Sequence, residues 1–261
     1  MSRYTRLNSL LELLSERGSL EIEEVAAELR VSPATIRRDF DHLADQQLVS
    51  RTRGGAVSNS VSYDLPLRYK ASRHAPEKQR IGEMVASLVK AGSVVGLTGG
   101  TTATEVARAI ATRATTVMAE GKRDITIVTN AINIANELTI RQNVRIVLTG
   151  GVAMPQSYEL VGPLAERTLG DISLDIAVLG VNAMDVEFGA STHNEVEAGI
   201  NSLMAARAAT VVVAADSSKL NQRAFVRICK TEAVDILVTD VQAPAELVSK
   251  FARAGVEVRR V

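Results

Sequence analysis

Two stripes of apolar residues with helical spacing open the chain. The first consists of Leu7, Leu10, Leu11 and Leu14, and the second consists of Ile22, Val25, Ala26 and Leu29. Apolar residues at positions i, i+3, i+4 and i+7 lie on one face of a helix. The stripes therefore predict a helix over residues 3–17 and a short second helix. Gly18 is expected to end the first helix, because glycine is favoured just beyond a helix C-terminus.

A third helix is predicted to begin at Ser32-Pro33, since serine is a good N-cap and proline is a good first helical residue. Its apolar face consists of Ile36, Phe40 and Leu43, and its opposite face consists of Ala34, Arg37, Arg38 and Asp41. The apolar face is expected to pack against the first two helices. Two short helices, a tight turn and an arginine-bearing third helix are typical of a module that reads duplex DNA.

The segment that follows predicts a wing. Residues 48–57 read as a strand, a turn at Gly54-Gly55 and a second strand. Arg51 and Arg53 are placed to reach phosphates or the minor groove. We predict DNA contacts from Ser32, Ala34, Thr35, Arg37, Arg38, Arg51 and Arg53.

Charge is balanced over the whole chain but segregated along it. The chain has 30 Lys and Arg against 30 Asp and Glu, and residues 1–57 carry eight arginines against nine acids, so the DNA module is not basic in sum. Residues 51–80 reverse this balance, with seven basic residues against Asp64 and Glu77. A basic stripe that includes Arg68 and Lys70 therefore begins at the wing and continues beyond it.

Short segments rich in Val, Ile and Leu alternate with helical stretches from residue 78 onward. The predicted strands span residues 93–98, 124–129, 144–149, 174–180, 209–215 and 234–239, and the predicted helices include residues 103–111, 131–140 and 195–207. This alternation predicts an α/β domain whose parallel sheet is covered on both faces. We expect a DNA-binding domain over 1–57, a linker over 58–75 and a larger domain over 76–261.

Cys229 is the only cysteine, so no intrachain disulfide can form, and we expect this side chain to be a small buried hydrophobe. No apolar run approaches the roughly 20 residues of a membrane span, and the N-terminus lacks the apolar core of a signal peptide. The sequence predicts a cytoplasmic protein, with no metal or cofactor.

Small polar residues follow four of the predicted strands, at the edge where ligands of parallel sheets bind. They form the segments Gly99-Gly100-Thr101-Thr102, Thr129-Asn130, Thr149-Gly150-Gly151 and Asp216-Ser217-Ser218-Lys219. The first segment runs into a helix, whose N-terminal amides and threonine hydroxyls can cradle a phosphate. Each segment is also compatible with a plain turn or helix cap, and none matches a P-loop or a Gly-x-Gly-x-x-Gly motif.

The N-terminal pattern resembles a known signature. Ser-Pro-Ala-Thr-Ile-Arg-Arg-Asp at residues 32–39, followed by Arg-Thr-Arg-Gly-Gly-Ala at residues 51–56, resembles the signature of the DeoR family of bacterial regulators over residues 3–57. Glu21 departs from it, because the family often has Ser or Thr where the second helix begins. This departure implies a weaker cap for that helix.

The C-terminal part resembles the sensor domain of the same family. The matching segments are Gly100-Thr101-Thr102, Thr129-Asn130, Gly150-Gly151, Leu160-Val161-Gly162-Pro163 and Asp216-Ser217-Ser218-Lys219. The resemblance implies a Rossmann-like fold similar to ribose-5-phosphate isomerase and a phosphorylated sugar as effector. The residues it implies for effector binding are Gly99, Gly100, Thr101, Thr102, Thr129, Asn130, Gly150, Gly151, Glu197 and Lys219. His193 ends a segment that departs from the family pattern, and we add it as a residue that can donate a hydrogen bond to an effector hydroxyl.

Two carboxylates common in the family are replaced here, by Thr98 and Asn182. An isomerase needs a general base with a suitable pKa, and neither Thr98 nor Asn182 can act as that base. We therefore predict a regulator that is not an enzyme: a homodimer or homotetramer that binds double-stranded operator DNA and represses carbohydrate catabolism genes until a phosphorylated sugar binds. The alternatives are a ligand-controlled activator, a bifunctional isomerase using Glu197, Asp185 or Asp216, and an architectural DNA-binding protein without a ligand.

Overall fold

The structure, a computed structural model, describes residues 1–46, 48–58, 67, 73–116, 124–141 and 143–261. The chain divides into two compact units, Met1–Ser72 and Arg73–Val261. Most of the predicted linker, residues 59–66 and 68–72, lies outside the described residues, as do Arg68 and Lys70 of the predicted basic stripe. The predicted domain bounds stay a prediction.

The first unit consists of three helices and a small antiparallel sheet. Its elements are α1 (Arg3–Arg17), β1 (Ser19–Glu21), α2 (Ile22–Glu28), α3 (Pro33–Asp45), β2 (Val49–Arg51) and β3 (Gly55–Ser58), with strand order β1-β3-β2. Gly18 ends α1 with a φ of 75°, and Glu21 provides no side-chain cap to α2. The predicted helices and wing hairpin are confirmed.

The strand β1 was not predicted, because only Leu20 of its three residues is buried and so short a segment carries no period. It pairs with β3 and places Leu20 opposite Ala56. A Cβ atom on Gly55 would lie 1.8 Å from the carbonyl oxygen of Leu20. The second glycine of the wing turn is therefore required for this close strand pairing.

The core of the first unit joins all three helices. Ile36, Phe40 and Leu43 are fully buried in it, as the helical pattern predicted. A polar contact adds to the apolar packing: Arg6 Nε lies 2.5 Å from Asp39 Oδ2, and Arg6 Nη2 donates to Oδ1 at 3.2 Å. Asp39 is 2% exposed. This forked ion pair fixes α1 against α3.

The second unit is built on a seven-stranded parallel sheet of order β15-β14-β12-β9-β4-β5-β6. Its strands are β4 (Val94–Leu97), β5 (Ile125–Thr129), β6 (Val144–Leu148), β9 (Leu174–Gly180), β12 (Ala208–Ala214), β14 (Ile236–Thr239) and β15 (Glu257–Arg260). Smaller pieces of sheet are formed by β7 (Val152–Ala153) with β8 (Leu160–Val161), and by β10 (Ala183–Asp185), β11 (Gly189–Thr192) and β13 (Val226–Cys229). The six predicted strands are confirmed to within two residues at each end. The polar edge strand β15 was not predicted.

Helices cover both faces of this sheet, as predicted. They are α4 (Ala75–Leu88), α5 (Thr101–Thr116), α6 (Ile132–Leu138), α7 (Pro163–Gly170), α8 (Glu195–Ala206) and α9 (Ala245–Arg253). Along β9, Ile176 and Val178 join the core under α4, α5 and α6, whereas Ala177 and Leu179 join the core under α7, α8 and α9. The alternation of adjacent side chains between two apolar cores explains the continuous apolar strands.

Cys229, expected to be buried, is half-buried against the second of these cores. Burial raises the pKa of its thiol to about 11, so the group is not reactive at neutral pH. Among the described residues, no helix is long and apolar enough to cross a membrane.

Candidate DNA-reading surface and effector site

The helix α3 presents its arginines to solvent. Ser32 caps it, with Oγ accepting from the Thr35 amide at 3.3 Å and lying 2.9 Å from Thr35 Oγ1. Arg37 and Arg38 are exposed together with Ala34. Their heads are held only loosely, because Arg37 lies 3.7 Å from a highly exposed Glu23 carboxylate and Arg38 Nε donates to the Ala34 carbonyl at 3.3 Å. Both guanidinium groups can exchange these weak contacts for contacts with DNA.

The two arginines of the wing differ in their surroundings. Arg51 lies over the Phe40 ring at 5.6 Å, with Nε 3.0 Å from Asp41 Oδ1, and Nη1 donates to the Gly55 carbonyl at 3.0 Å. Arg53 is exposed at the wing turn. Arg51 therefore connects the wing to α3, while Arg53 has the exposure that a phosphate contact requires.

The polar loops of the second unit lie at one edge of the sheet. All seven strands run parallel, so the residues after β4, β5, β6 and β12 emerge together at their C-terminal ends. The first loop leads directly into α5, whose first amides have no partner inside the helix. Gly100 has a φ of 114° where the chain turns into this helix. Thr101 is half-buried and Thr102 is buried.

Asn130 belongs to a buried polar cluster at this edge. Asn130 Nδ2 donates to Glu159 Oε2 at 3.0 Å, and Asn201 Nδ2 donates to the same oxygen at 3.2 Å. The backbone holds Glu159 in this position through an isolated β-bridge to Ala131. The amide of the next residue, Leu160, donates to the Asn130 carbonyl at 2.6 Å. We call Asn130, Glu159 and Asn201 the carboxylate cluster.

Glu159 is 4% exposed. Burial, and next the nearby charge of Glu197, raise the pKa of its carboxyl group to about 8, against the opposing effect of hydrogen bonds from Asn130, Asn201 and the Gly99 amide. Glu197 also borders this cluster and accepts a hydrogen bond from Ser157 Oγ at 2.6 Å. The cluster therefore places a carboxyl group with a raised pKa directly beside the first glycine of the loop at residues 99–102.

A basic cluster lies at the same end of the unit. Lys78 on α4 is 4% exposed. Burial lowers the pKa of its ammonium group to about 8; Asp216 and Glu105 raise this pKa, while Lys219 and Arg73 lower it further. Lys78 thus lies near the start of α5 and the loop that follows β12. We call Arg73, Lys78 and Lys219 the basic cluster.

Other predicted effector residues have internal partners. Thr129 is fully buried, and its Oγ1 donates to the Leu97 carbonyl at 2.7 Å and accepts from the Ala131 amide at 3.1 Å. Gly151 packs against β8, where a Cβ atom would lie 2.6 Å from the Val161 carbonyl oxygen. Gly150 is exposed and His193 is half-buried. Thr129 and Gly151 therefore position neighbouring backbone segments at the edge of the sheet, through hydrogen bonds of Thr129 and close packing at Gly151.

The replacements Thr98 and Asn182 also have structural roles. Thr98 Oγ1 accepts from the Gly180 amide at 2.8 Å, which joins the ends of β4 and β9. Asn182 Oδ1 accepts from Thr192 Oγ1 at 2.7 Å. Both positions thus hold neighbouring strands together without a titratable group.

Sequence reasoning missed Glu159, Asn201 and Lys78. Two of them carried a signal, because Asn201 follows Glu197 at i+4 and Lys78 stands at i−3 from Ile81 in the apolar stripe of α4. A polar or charged residue at a core position of a helix indicates a buried polar group. Glu159 lies in an irregular segment and had no such signal.

The chain matches two family descriptions in succession. Residues 6–62 match the DeoR-like helix-turn-helix domain, and residues 73–241 match the DeoR C terminal sensor domain. The chain belongs to the DeoR family. It is accordingly a DNA-binding transcription regulator with a sensor domain, and the resemblance identified from its motifs is confirmed.

Full-length relatives agree with this assignment. The chain is 36% identical to the HTH-type transcriptional regulator GlpR of Haloferax volcanii, over 97% of this chain and 96% of that protein. It is 29% identical to the glycerol-3-phosphate regulon repressor of Escherichia coli, over 95% of this chain and 94% of that protein. Among solved structures, ribose 5-phosphate isomerase A of Methanocaldococcus jannaschii matches 56% of this chain and 55% of that chain, with 18% identity and a TM-score of 0.42.

Proposed function

We propose that this DeoR-family protein is a repressor of carbohydrate catabolism genes whose binding to operator DNA is relieved by a phosphorylated sugar. The observation that carries the DNA-binding role is the capped helix α3, which exposes Arg37 and Arg38 beside a wing. A relative of nearly equal length is named as the repressor of a glycerol-3-phosphate regulon, which supports repression and a phosphorylated effector.

DNA recognition begins with α3 in the major groove, where Arg37 and Arg38 reach base edges or phosphates. Arg53 reaches the backbone from the wing, while Ser32 and Thr35 cap the helix that enters the groove. One such module buries too little surface for operator affinity, so two or more copies bind repeated half-sites. A homodimer or homotetramer supplies those copies.

The effector binds at the C-terminal edge of the parallel sheet. Its phosphate lies on the amides and hydroxyls of residues 99–102 at the start of α5, and the basic cluster supplies positive charge. Ligand binding shifts the equilibrium between DNA-competent and DNA-incompetent arrangements by the difference in its affinity for them.

The DNA-binding role is tested with Arg38→Ala and a matched control. The operator is first identified by selecting the genomic DNA fragments of the source organism that the protein binds. Operator affinity is then measured for the full chain over a range of salt concentrations. Arg38→Ala is expected to weaken binding by about 1–3 kcal/mol and to flatten the salt dependence. Arg253→Ala, which removes an exposed arginine from α9, is expected to bind like the wild type. Normal binding by Arg38→Ala at every salt concentration would overturn the placement of α3.

The sensing role is tested by screening sugar phosphates for release of the operator complex. Thr101→Val and Lys219→Ala are expected to keep operator affinity and to lose release by the active compound. Retained release in Lys219→Ala would remove this lysine from the site. Turnover of a sugar phosphate by the purified protein would favour the bifunctional alternative, and binding of DNA without sequence preference or ligand effect would favour the architectural one.

A further inference from the structure

The carboxylate cluster contains a buried hydrogen-bond acceptor without a partner. Asn130 is 0% exposed, and its Nδ2 group is engaged by Glu159 Oε2 at 3.0 Å and Asn201 Oδ1 at 3.4 Å. Its Oδ1 atom accepts no hydrogen bond from any described residue. A buried acceptor without a partner destabilises the folded protein, because it has lost its hydrogen bonds to water. This destabilisation is avoided when a ligand donates to Asn130 Oδ1.

Glu159 adds a second acceptor at the same place. Its neighbours are the amides of Asn130 and Asn201, the Gly99 amide and the Glu197 carboxylate. The amides hold the carboxyl group in place through hydrogen bonds, and among the described residues the cluster contains no positively charged side chain. Side-chain oxygens of Asn130, Glu159 and Glu197 therefore come together in this buried cluster.

The carboxylate cluster lies next to the loop at residues 99–102, which is proposed to hold the phosphate. A Cβ atom on Gly99 would lie 2.5 Å from Glu159 Oε1 and 2.5 Å from Glu159 Cγ. The carboxyl group therefore packs directly on the first residue of the loop at 99–102. A phosphate on that loop places the rest of a small sugar within reach of Glu159.

We propose that Glu159, held by Asn130 and Asn201, is a specificity-determining residue of the effector site and accepts a hydrogen bond from a hydroxyl or ammonium group of the phosphorylated sugar. The inference rests on the proposed function and extends it from the phosphate to the sugar. A site that offers acceptors selects ligands by their donors, and a ligand without the donor leaves those acceptors unpaired. An ammonium group would also bind the ionised carboxylate and expel its proton.

The test measures binding to the full chain by calorimetry. The probes are inorganic phosphate, hexose 6-phosphates, pentose 5-phosphates and 2-amino-2-deoxyhexose 6-phosphates. In Glu159→Gln, which puts an amide in place of the carboxyl group, the sugar phosphate that binds best to the wild type is expected to lose at least about tenfold in affinity. The affinity for inorganic phosphate is expected to change less than about twofold. Glu166→Gln on the exposed face of α7 is the matched control and is expected to change neither.

The outcomes separate this inference from the proposed function. Equal affinity of the wild type and Glu159→Gln for the best sugar phosphate overturns the role of Glu159 and leaves the sensing function intact. Failure of every sugar phosphate to bind the wild type overturns both. Release of a proton on binding, seen by repeating the titration in buffers of different ionisation enthalpy, identifies an ammonium donor, and its absence identifies a hydroxyl. Glu159→Ser, which removes the carboxyl group without facing a new donor toward the Gly99 amide, serves as the second variant if Glu159→Gln unfolds early.

Discussion

The carboxyl group of Glu159 occupies the space in which a side chain on Gly99 would stand. The calculated Cβ position on Gly99 lies 2.5 Å from Glu159 Oε1 and 2.9 Å from Glu159 Cδ, well inside van der Waals contact. The backbone of the Gly99 loop and a buried carboxyl group are thus in direct contact. The identity of residue 99 and the presence of Glu159 depend on each other.

Gly99→Ala is expected to destabilise the protein by about 1–3 kcal/mol, because the added methyl group overpacks the site. The measurement is chemical denaturation of the full chain. Gly199→Ala is the matched control, since nothing lies within 4 Å of its Cβ position and it stands inside α8. There alanine is expected to be neutral or to stabilise the helix by about 0.5–1 kcal/mol.

A double-mutant cycle identifies the cause of the Gly99→Ala effect. Combining it with Glu159→Ser removes the group that the methyl would strike, so the double variant is expected to recover part of the lost stability. Simple additivity of the two substitutions would show that the contact does not limit residue 99.

The ionisation of Glu159 predicts a pH dependence of stability. Its pKa is about 8 in the folded protein and 4.5 as the ordinary value, so between these values the folded chain holds a proton that the unfolded chain has released. The contribution of Glu159 to stability is therefore present below pH 4.5 and is lost as the pH rises through 8. The free energy of unfolding of the wild type is expected to fall relative to Glu159→Gln between pH 5 and 8. A constant difference over this range would contradict burial of the carboxyl group.

The buried Lys78 predicts a pH dependence of phosphate affinity. Its pKa is lowered from 10.5 to about 8, so the ammonium charge that attracts a phosphate is lost at a lower pH than for an exposed lysine. The affinity for inorganic phosphate is expected to fall between pH 7.5 and 9 in the wild type. Lys78→Met is expected to bind weakly and nearly independently of pH over the same range. Lys90→Met, at an exposed lysine, provides the control and is expected to follow the wild type.

The two wing arginines predict different defects. Arg51→Ala removes the contacts with Asp41, Gly55 and the Phe40 ring and is expected to destabilise the wing by about 1 kcal/mol. Hydrogen exchange of the β2 and β3 amides in the full chain reports this change. Arg53→Ala is expected to leave that exchange unchanged and to reduce the salt dependence of operator binding by about one phosphate contact. Faster exchange in Arg53→Ala than in Arg51→Ala would reverse the two roles.

The DNA-reading module was largely predictable because its determinants are local. The Ser32-Pro33 cap, the spacing of Ile36, Phe40 and Leu43 and the turn at Gly54-Gly55 each act within a few residues. The direction of Arg51 was not predictable in this way, since its partner Asp41 belongs to another element. A sequence pattern predicts which face of a helix or strand a residue lies on, but it does not predict which neighbouring residue the charged group contacts.

The proposed effector edge of the sheet was predictable only in outline. The apolar strands predicted the parallel sheet, and the structure places the polar loops together at its C-terminal edge. Ligand binding at this edge stays a prediction. Glu159 remained hidden because its partners Asn130 and Asn201 lie 29 and 42 residues away in sequence. Such distant residues bury the carboxyl group only once the chain has folded, so no periodicity in the local sequence predicts this burial.

The strand β1 has a consequence for how this regulator can be controlled. Pairing of β1 with β3, together with the bond from the Ile22 amide to the Gly54 carbonyl at 2.9 Å, ties the wing to the start of α2. The forked pair of Arg6 with Asp39 ties α1 to α3 in the same way. Because these contacts join the wing to α2 and α1 to α3, we expect the described part of the module to respond to the proposed effector as one rigid piece. Substitutions that abolish induction while sparing operator affinity are therefore expected to map outside residues 3–58.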